Sequence, residues 1–123
     1  MKRIRKTLKG TSNKNSTVPK RVKVGPYKYV IKEVPNLTLE NEPVFGYIDL
    51  ANQVIKIEQK LKLQAKKVTL LHELCHGILF NAGIIKLTPE LHKVVDSISC
   101  GLVEIIDNNK TVAKLLEEKE RTS

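Results

Sequence analysis

Two histidines four residues apart with a glutamate beside the first, His72-Glu73-Leu74-Cys75-His76, form an H-E-x-x-H pentad, the one place in this 123-residue chain that spells out a chemistry. On an α-helix residues i and i+4 lie about 40° apart in projection, so both imidazoles reach one cation. Glu73, about 100° round from His72, stands beside the ion without having to bind it. Zinc takes nitrogen ligands at about 2.0–2.1 Å, and a catalytic zinc uses three protein ligands and keeps its fourth position for water. Water held there loses a proton near neutral pH, and Glu73 is the carboxylate placed to take that proton and later return it to a leaving amine. The chemistry indicated is hydrolysis with zinc as cofactor, Glu73 as the catalytic group, and His72 and His76 as metal ligands.

A third ligand has to come from elsewhere. The remaining histidine, His92, falls on the next expected helix, with Asp96 four residues beyond it on the same face. His92 is the first candidate. Asp96 and Glu90 compete with it, whereas Glu104 lies two turns too far along. Cys75 does not qualify, because a helix cannot turn positions 72, 75 and 76 toward one ion.

The elements that must position these groups can be read from periodicity. Val22-Lys23-Val24, a Gly25-Pro26 turn and Tyr27 to Val34 alternate as a hairpin, and Pro35 to Pro43 reads as a loop. Val44 to Asp49 and Gln53 to Ile57 are two further short strands joined by Leu50-Ala51-Asn52. The pentad helix begins between Lys62 and Val68 and ends near Asn81, with Gly83 as its stop. Leu70, Leu71, Leu74, Cys75, Ile78 and Leu79 recur along it at helical spacing, as a buried side would. A second helix is announced by Thr88 as N-cap, Pro89 at the first position and Glu90 in the first turn; it runs to about Ile106. Thr111 to Glu120 suggests a short, charged terminal helix.

The length suits a single domain with a modest core, and no apolar run is long enough to span a bilayer or act as a signal peptide. Cys75 and Cys100 are too few for a disulfide framework and read as small core residues. These features point to a cytoplasmic protein that does not engage a membrane. The net charge of +9 is unevenly spread. Residues 1–21 carry eight Lys or Arg and no acid, leaving 14 basic and 13 acidic residues for the rest. Residues 1–19 are therefore expected to be a flexible basic arm and 20–123 a single domain, with residues 1–21 able to make weak, salt-dependent, non-specific contact with nucleic acid.

With these residues in view, the span from Val22 to Asn109 resembles small phage or mobile-element metallopeptidases, broadly the ImmA/IrrE-type zincins. The likeness is carried by Tyr27-Lys28-Tyr29-Val30, Gly46-Tyr47-Ile48-Asp49, Ile55-Lys56-Ile57, Thr69 to His76, and Val94-Val95 through Ile106 to Asn109. The resemblance implies an α+β, minimal zincin-like fold: a small, mostly antiparallel sheet of three or four strands packed on the active-site helix, a second long helix completing the metal site, and a short C-terminal helix. It also implies cleavage of a protein or peptide substrate in the cytoplasm of a bacterial host cell. In the similar thermolysin-like zincins the third ligand sits on the second helix and an acid four residues later braces the first motif histidine, the roles His92 and Asp96 would then take. The ImmA/IrrE-type pattern prefers an acidic third ligand, so the set is either three histidines or includes Asp96 with His92 behind it. A metzincin would need Gly and His where this chain has Leu79 and Ala82.

The substrate is expected to lie extended along a strand edge, with Gln53 to Ile57 the first choice. Tyr27, Tyr29 and Tyr47 are candidate oxyanion donors, though aromatics in such strands serve first as packing groups. Two alternatives stand beside a zinc peptidase: a non-catalytic phage protein stabilised by zinc, and a nucleic-acid-associated protein acting through its basic arm.

Overall fold

The computed structural model describes residues 18–120, so the arm expected over residues 1–19 lies almost wholly outside it. The fold is α+β. Strands β1 (Arg21–Val24), β2 (Tyr27–Val34), β3 (Thr38–Leu39), β4 (Glu42–Pro43), β5 (Gly46–Asp49) and β6 (Val54–Glu58) precede helices α1 (Leu63–Asn81), α2 (Pro89–Asn108) and α3 (Lys110–Glu117). Four strands form one sheet in the order β1-β2-β6-β5, antiparallel except between β2 and β6.

Period-two alternation decides which face is which. Tyr29, Ile31, Ile55 and Ile57 point inward with Val24 and make the buried cluster; Ile48, Leu70 and Leu74 pack around it. Their neighbours Lys28, Val30 and Lys32 point to the opposite face and are exposed. Helix α1 lies across the inward face, touching β1, β5 and β6, and α2 packs on α1 and α3.

Two expectations are revised here. Pro35 to Pro43 is not plain loop: β3 and β4 form a separate small hairpin, turning through Glu40 and Asn41 at φ of 53° and 68°. Two consecutive positive φ values are the signature of a tight primed turn, which Asn-Gly would have advertised and Glu-Asn conceals. The second revision concerns α1. Its buried residues are Thr69, Glu73 and Gly77, spaced by four, while Ile78 is 58 % exposed. Close approach explains it at Gly77: a Cβ there would stand 3.5 Å from Val24 and 3.6 Å from Ile48, so the helix lies close on the strands along this line and the leucines pack to either side.

The helix ends follow local rules. Gly83, at φ 86°, closes α1 with Gly83 N–H donating to the Phe80 carbonyl and Ile84 N–H to that of Leu79, a Schellman arrangement. Thr88 Oγ1 accepts from Leu91 N–H at 3.1 Å, and Pro89 occupies the first turn of α2. The core expectation for the cysteines fails at Cys100, which is exposed; Cys75 is half-buried, its Sγ 3.8 Å from Ser99 Oγ.

Candidate metal centre

The spacing of the pentad on α1 and the crossing of α2 bring His72, His76 and His92 together. One ligand nitrogen from each lies within 4.8 Å of the others, and among the described residues this is the group able to hold a metal ion. His72 Nε2 and His76 Nε2 stand 3.2 Å apart. Two nitrogens of a tetrahedral zinc site, each about 2.0–2.1 Å from the metal, would be separated by roughly that distance. The donor set, three imidazoles with convergent nitrogens, therefore fits an ion without rearrangement on α1. Glu90 is not part of the cluster.

Asp96 sits behind the site. Its Oδ1 lies 2.8 Å from His72 Nδ1, while its own side chain is 65 % exposed. Nδ1–H donating to that carboxylate leaves the Nε2 lone pair facing His76 and His92, the tautomer a ligand needs. Of the two arrangements open for α2, this geometry favours His92 as ligand and Asp96 as the brace. Burial pushes the His72 imidazole below its ordinary value, outweighing the opposing pull of Asp96. Burial, then the neighbouring His72 and His92, does the same to His76. Both rings are thus held neutral at pH 7, as metal ligands must be.

Glu73, next to His72 but turned toward the sheet, is 6 % exposed, and burial raises its carboxyl to about 7. A carboxylate poised there takes and returns protons near neutral pH, where an ordinary glutamate would be too weak a base.

Two clefts open on His72 and Glu73 from either end of β5. One, of about 460 Å³, is walled by Pro43, Val44, Phe45, Val68 and Thr69; the other, of about 350 Å³, by Tyr47, Leu50 and Ile85 with His76 and His92. Gly46 is common to both. A Cβ there would come within 2.6 Å of Thr69 Cγ2 and 2.9 Å of the Lys56 carbonyl, so glycine is what lets β5 approach α1. Motif spacing does not identify the Phe45 wall, and the glycine inside a strand pattern is the available signal for it. The first-choice substrate edge, Gln53 to Ile57, is corrected: β6 is an interior strand, paired on both sides, and the edge beside the metal centre is β5.

The tyrosines act first as packing groups. Tyr29 is sealed at 1 % exposure with an unpartnered hydroxyl near Gly77, Tyr27 packs on Phe80, and Lys56 lies over Tyr47. No helix among the described residues is long and apolar enough to cross a membrane.

No protein-family model, curated protein or solved structure matches this chain.

Proposed function

We propose that this chain is a zinc-dependent peptidase of minimal zincin type, with His72, His76 and His92 as ligands and Glu73 as the proton-transfer group. The observation that carries the reading is the convergence of three imidazoles on one point with a buried, basicity-raised carboxylate opening on the same clefts. Zinc there would supply Lewis-acid activation of a peptide carbonyl and of water. The residues of the chain do the rest. Glu73 accepts the proton of the attacking water and passes it to the departing amine. Asp96 keeps His72 in the tautomer that serves the ion. The outer edge of β5, unpaired among the described residues, accepts an extended peptide by backbone pairing, with Gly46 to Ile48 running between the two clefts.

The apolar wall of Pro43, Val44, Phe45 and Val68 supports a preference for a bulky apolar side chain on that side of the scissile bond. Glu73→Gln is the test. It keeps about one zinc per chain, measured by elemental analysis, and loses cleavage of a broad peptide library by a factor on the order of 10²–10⁴. A wild-type protein that holds zinc and cleaves nothing in that library would instead support an ion kept for stability.

A further inference from the structure

We infer that the outward face of the four-stranded sheet, opposite the metal centre, is a binding surface for the phosphodiester backbone of nucleic acid. Strand register puts five cations on that face. Lys23 stands directly opposite Lys28, Lys32 directly opposite Lys56, and Arg21 beside Val30 between the two pairs. Like charges directly opposite each other across strands destabilise a sheet, and this one carries two such pairs.

The ion pairs Lys66–Glu33 and Lys67–Asp107 use none of the five. The two acids on the same face are engaged locally. Asp49 accepts from Asn52, though it lies near enough to feel Lys56, and Glu58 accepts from the backbone of Leu37 and Lys60. Helix α1 packs on the other side of the sheet. The backbones of each facing pair therefore lie about 4.8 Å apart, with Arg21 and Lys23 about 6.6 Å apart along β1 and Lys28 and Lys32 about 13 Å apart along β2, a repulsive arrangement that a polyanion relieves.

Sequence continuity strengthens the assignment. The chain enters β1, the edge strand of this face, directly from residues 1–20, which hold Lys2, Arg3, Arg5, Lys6, Lys9, Lys14 and Lys20 and no acid. A bilayer suits the face less well. Its outward apolar side chains are Val30, Val34 and Val54 with Tyr47 lying under Lys56, so it lacks the Trp, Phe or Leu that would insert among lipid tails.

The experiment uses the full chain and a short labelled duplex DNA, with anisotropy followed between about 50 and 200 mM salt. Replacing Lys23, Lys28, Lys32 and Lys56 by Gln is expected to weaken binding at least tenfold at about 150 mM salt and to make the log–log salt slope shallower by about 0.9 for each phosphate no longer neutralised, while zinc content is unchanged. Replacing Lys86, Lys110, Lys114 and Lys119 by Gln removes the same charge elsewhere and is expected to change affinity by less than about threefold. Equal losses in the two variants, or no loss in the first, would overturn the inference by showing that net charge or the arm alone does the binding. Tighter capture of wild type by phosphatidylserine vesicles than by duplex, abolished in the first variant, would overturn it in favour of a membrane. Should the fourfold variant not fold, Lys28→Gln with Lys32→Gln is read in the same way, with about half the change in slope.

Discussion

Helices α1 and α2 supply the candidate metal centre from unlike positions. α1 is wedged between the sheet and α2, with Thr69, Glu73 and Gly77 pressed on the strands. α2 buries one stripe, Val95, Ser99 and Val103, and turns Val94, Ile98, Leu102 and Ile105 to solvent at 42–49 % exposure. Beyond packing, α2 is tied to α1 by the His72–Asp96 hydrogen bond and the Lys67–Asp107 ion pair. Two of the proposed ligands and the proposed proton-transfer group are thus preorganised on an embedded helix, and the third proposed ligand arrives on one that lies outside that layer, packed on α1 and α3. An ion bridging His72, His76 and His92 would therefore be a fastener for α2 as well as a reagent, since binding energy at such a site becomes folding energy.

Removing ligands one at a time disturbs this asymmetry most strongly. His72→Ala and His92→Ala should each weaken zinc by a factor on the order of 100 or more, given structural-zinc binding energies of about 10–16 kcal/mol shared among a few ligands. They should differ in what they loosen. In His92→Ala, as in wild type stripped by chelator, amide exchange should quicken along Pro89–Asn108 while the buried middle of Leu63–Asn81 stays protected. Equal loosening of both helices would erase the distinction between them.

Glu73 tests the embedded side in the metal-free protein. Its carboxyl is raised from 4.5 to about 7 by burial. The unfolded chain therefore releases this proton first as pH rises, and stability contributed below pH 4.5 is lost progressively up to about pH 7. Burial lowers His72 and His76, so their contribution runs the other way and is lost as pH falls through 6.5. Comparing wild type with Glu73→Gln cancels the histidines. The variant should be more stable by up to about 3 kcal/mol at pH 8, and the gain should shrink toward pH 4.5, measured by denaturant unfolding in chelator. A gain independent of pH would mean the carboxylate is not the source.

How much of this is legible in the sequence follows the range of the forces involved. The hairpin at Gly25-Pro26, the Thr88-Pro89 helix start and the Gly83 stop are set by neighbours within a few residues, and each lies where its signal stands. The pentad is readable because its geometry belongs to one helix, and His92 and Asp96 because they share one face of the next. What stays hidden depends on distant packing. Apolar periodicity along α1 does not show that Thr69, Glu73 and Gly77 are the line pressed on the sheet, because the shape of the partner surface decides that. Strand patterning marks β6 but not its position inside the sheet, since neighbours are chosen by topology and not by composition, and the expected substrate edge is misplaced with it.

The hydrogen bond between the helices probes the same asymmetry at smaller scale. Asp96→Asn keeps the shape and removes the charge that holds His72 Nδ1–H. Outer partners of this kind are worth about 10–100-fold in metal affinity, so zinc titration should show a loss in that range, well short of the loss from His92→Ala. Asp96→Ala falling as far as His92→Ala would instead make Asp96 a ligand.

The smallest change acts on α2 alone and far from any ligand atom. Thr88 Oγ1 satisfies Leu91 N–H, one of the orphan donors at the start of α2, four residues before His92. Thr88→Ala should cost about 1 kcal/mol of stability in the metal-free protein, seen as a lower denaturant midpoint. Because the first turn of α2 must be formed for His92 to reach the two imidazoles on α1, part of that cost should reappear as zinc affinity weakened by no more than about fivefold, the equivalent of 1 kcal/mol. The embedded helix provides the contrast: Thr69→Ser, which trims a methyl beside Gly46 without touching α2, should leave zinc affinity unchanged. Loss of zinc in Thr69→Ser and none in Thr88→Ala would place the weak side of the site on α1, and the fastener account of the ion would have to be reversed.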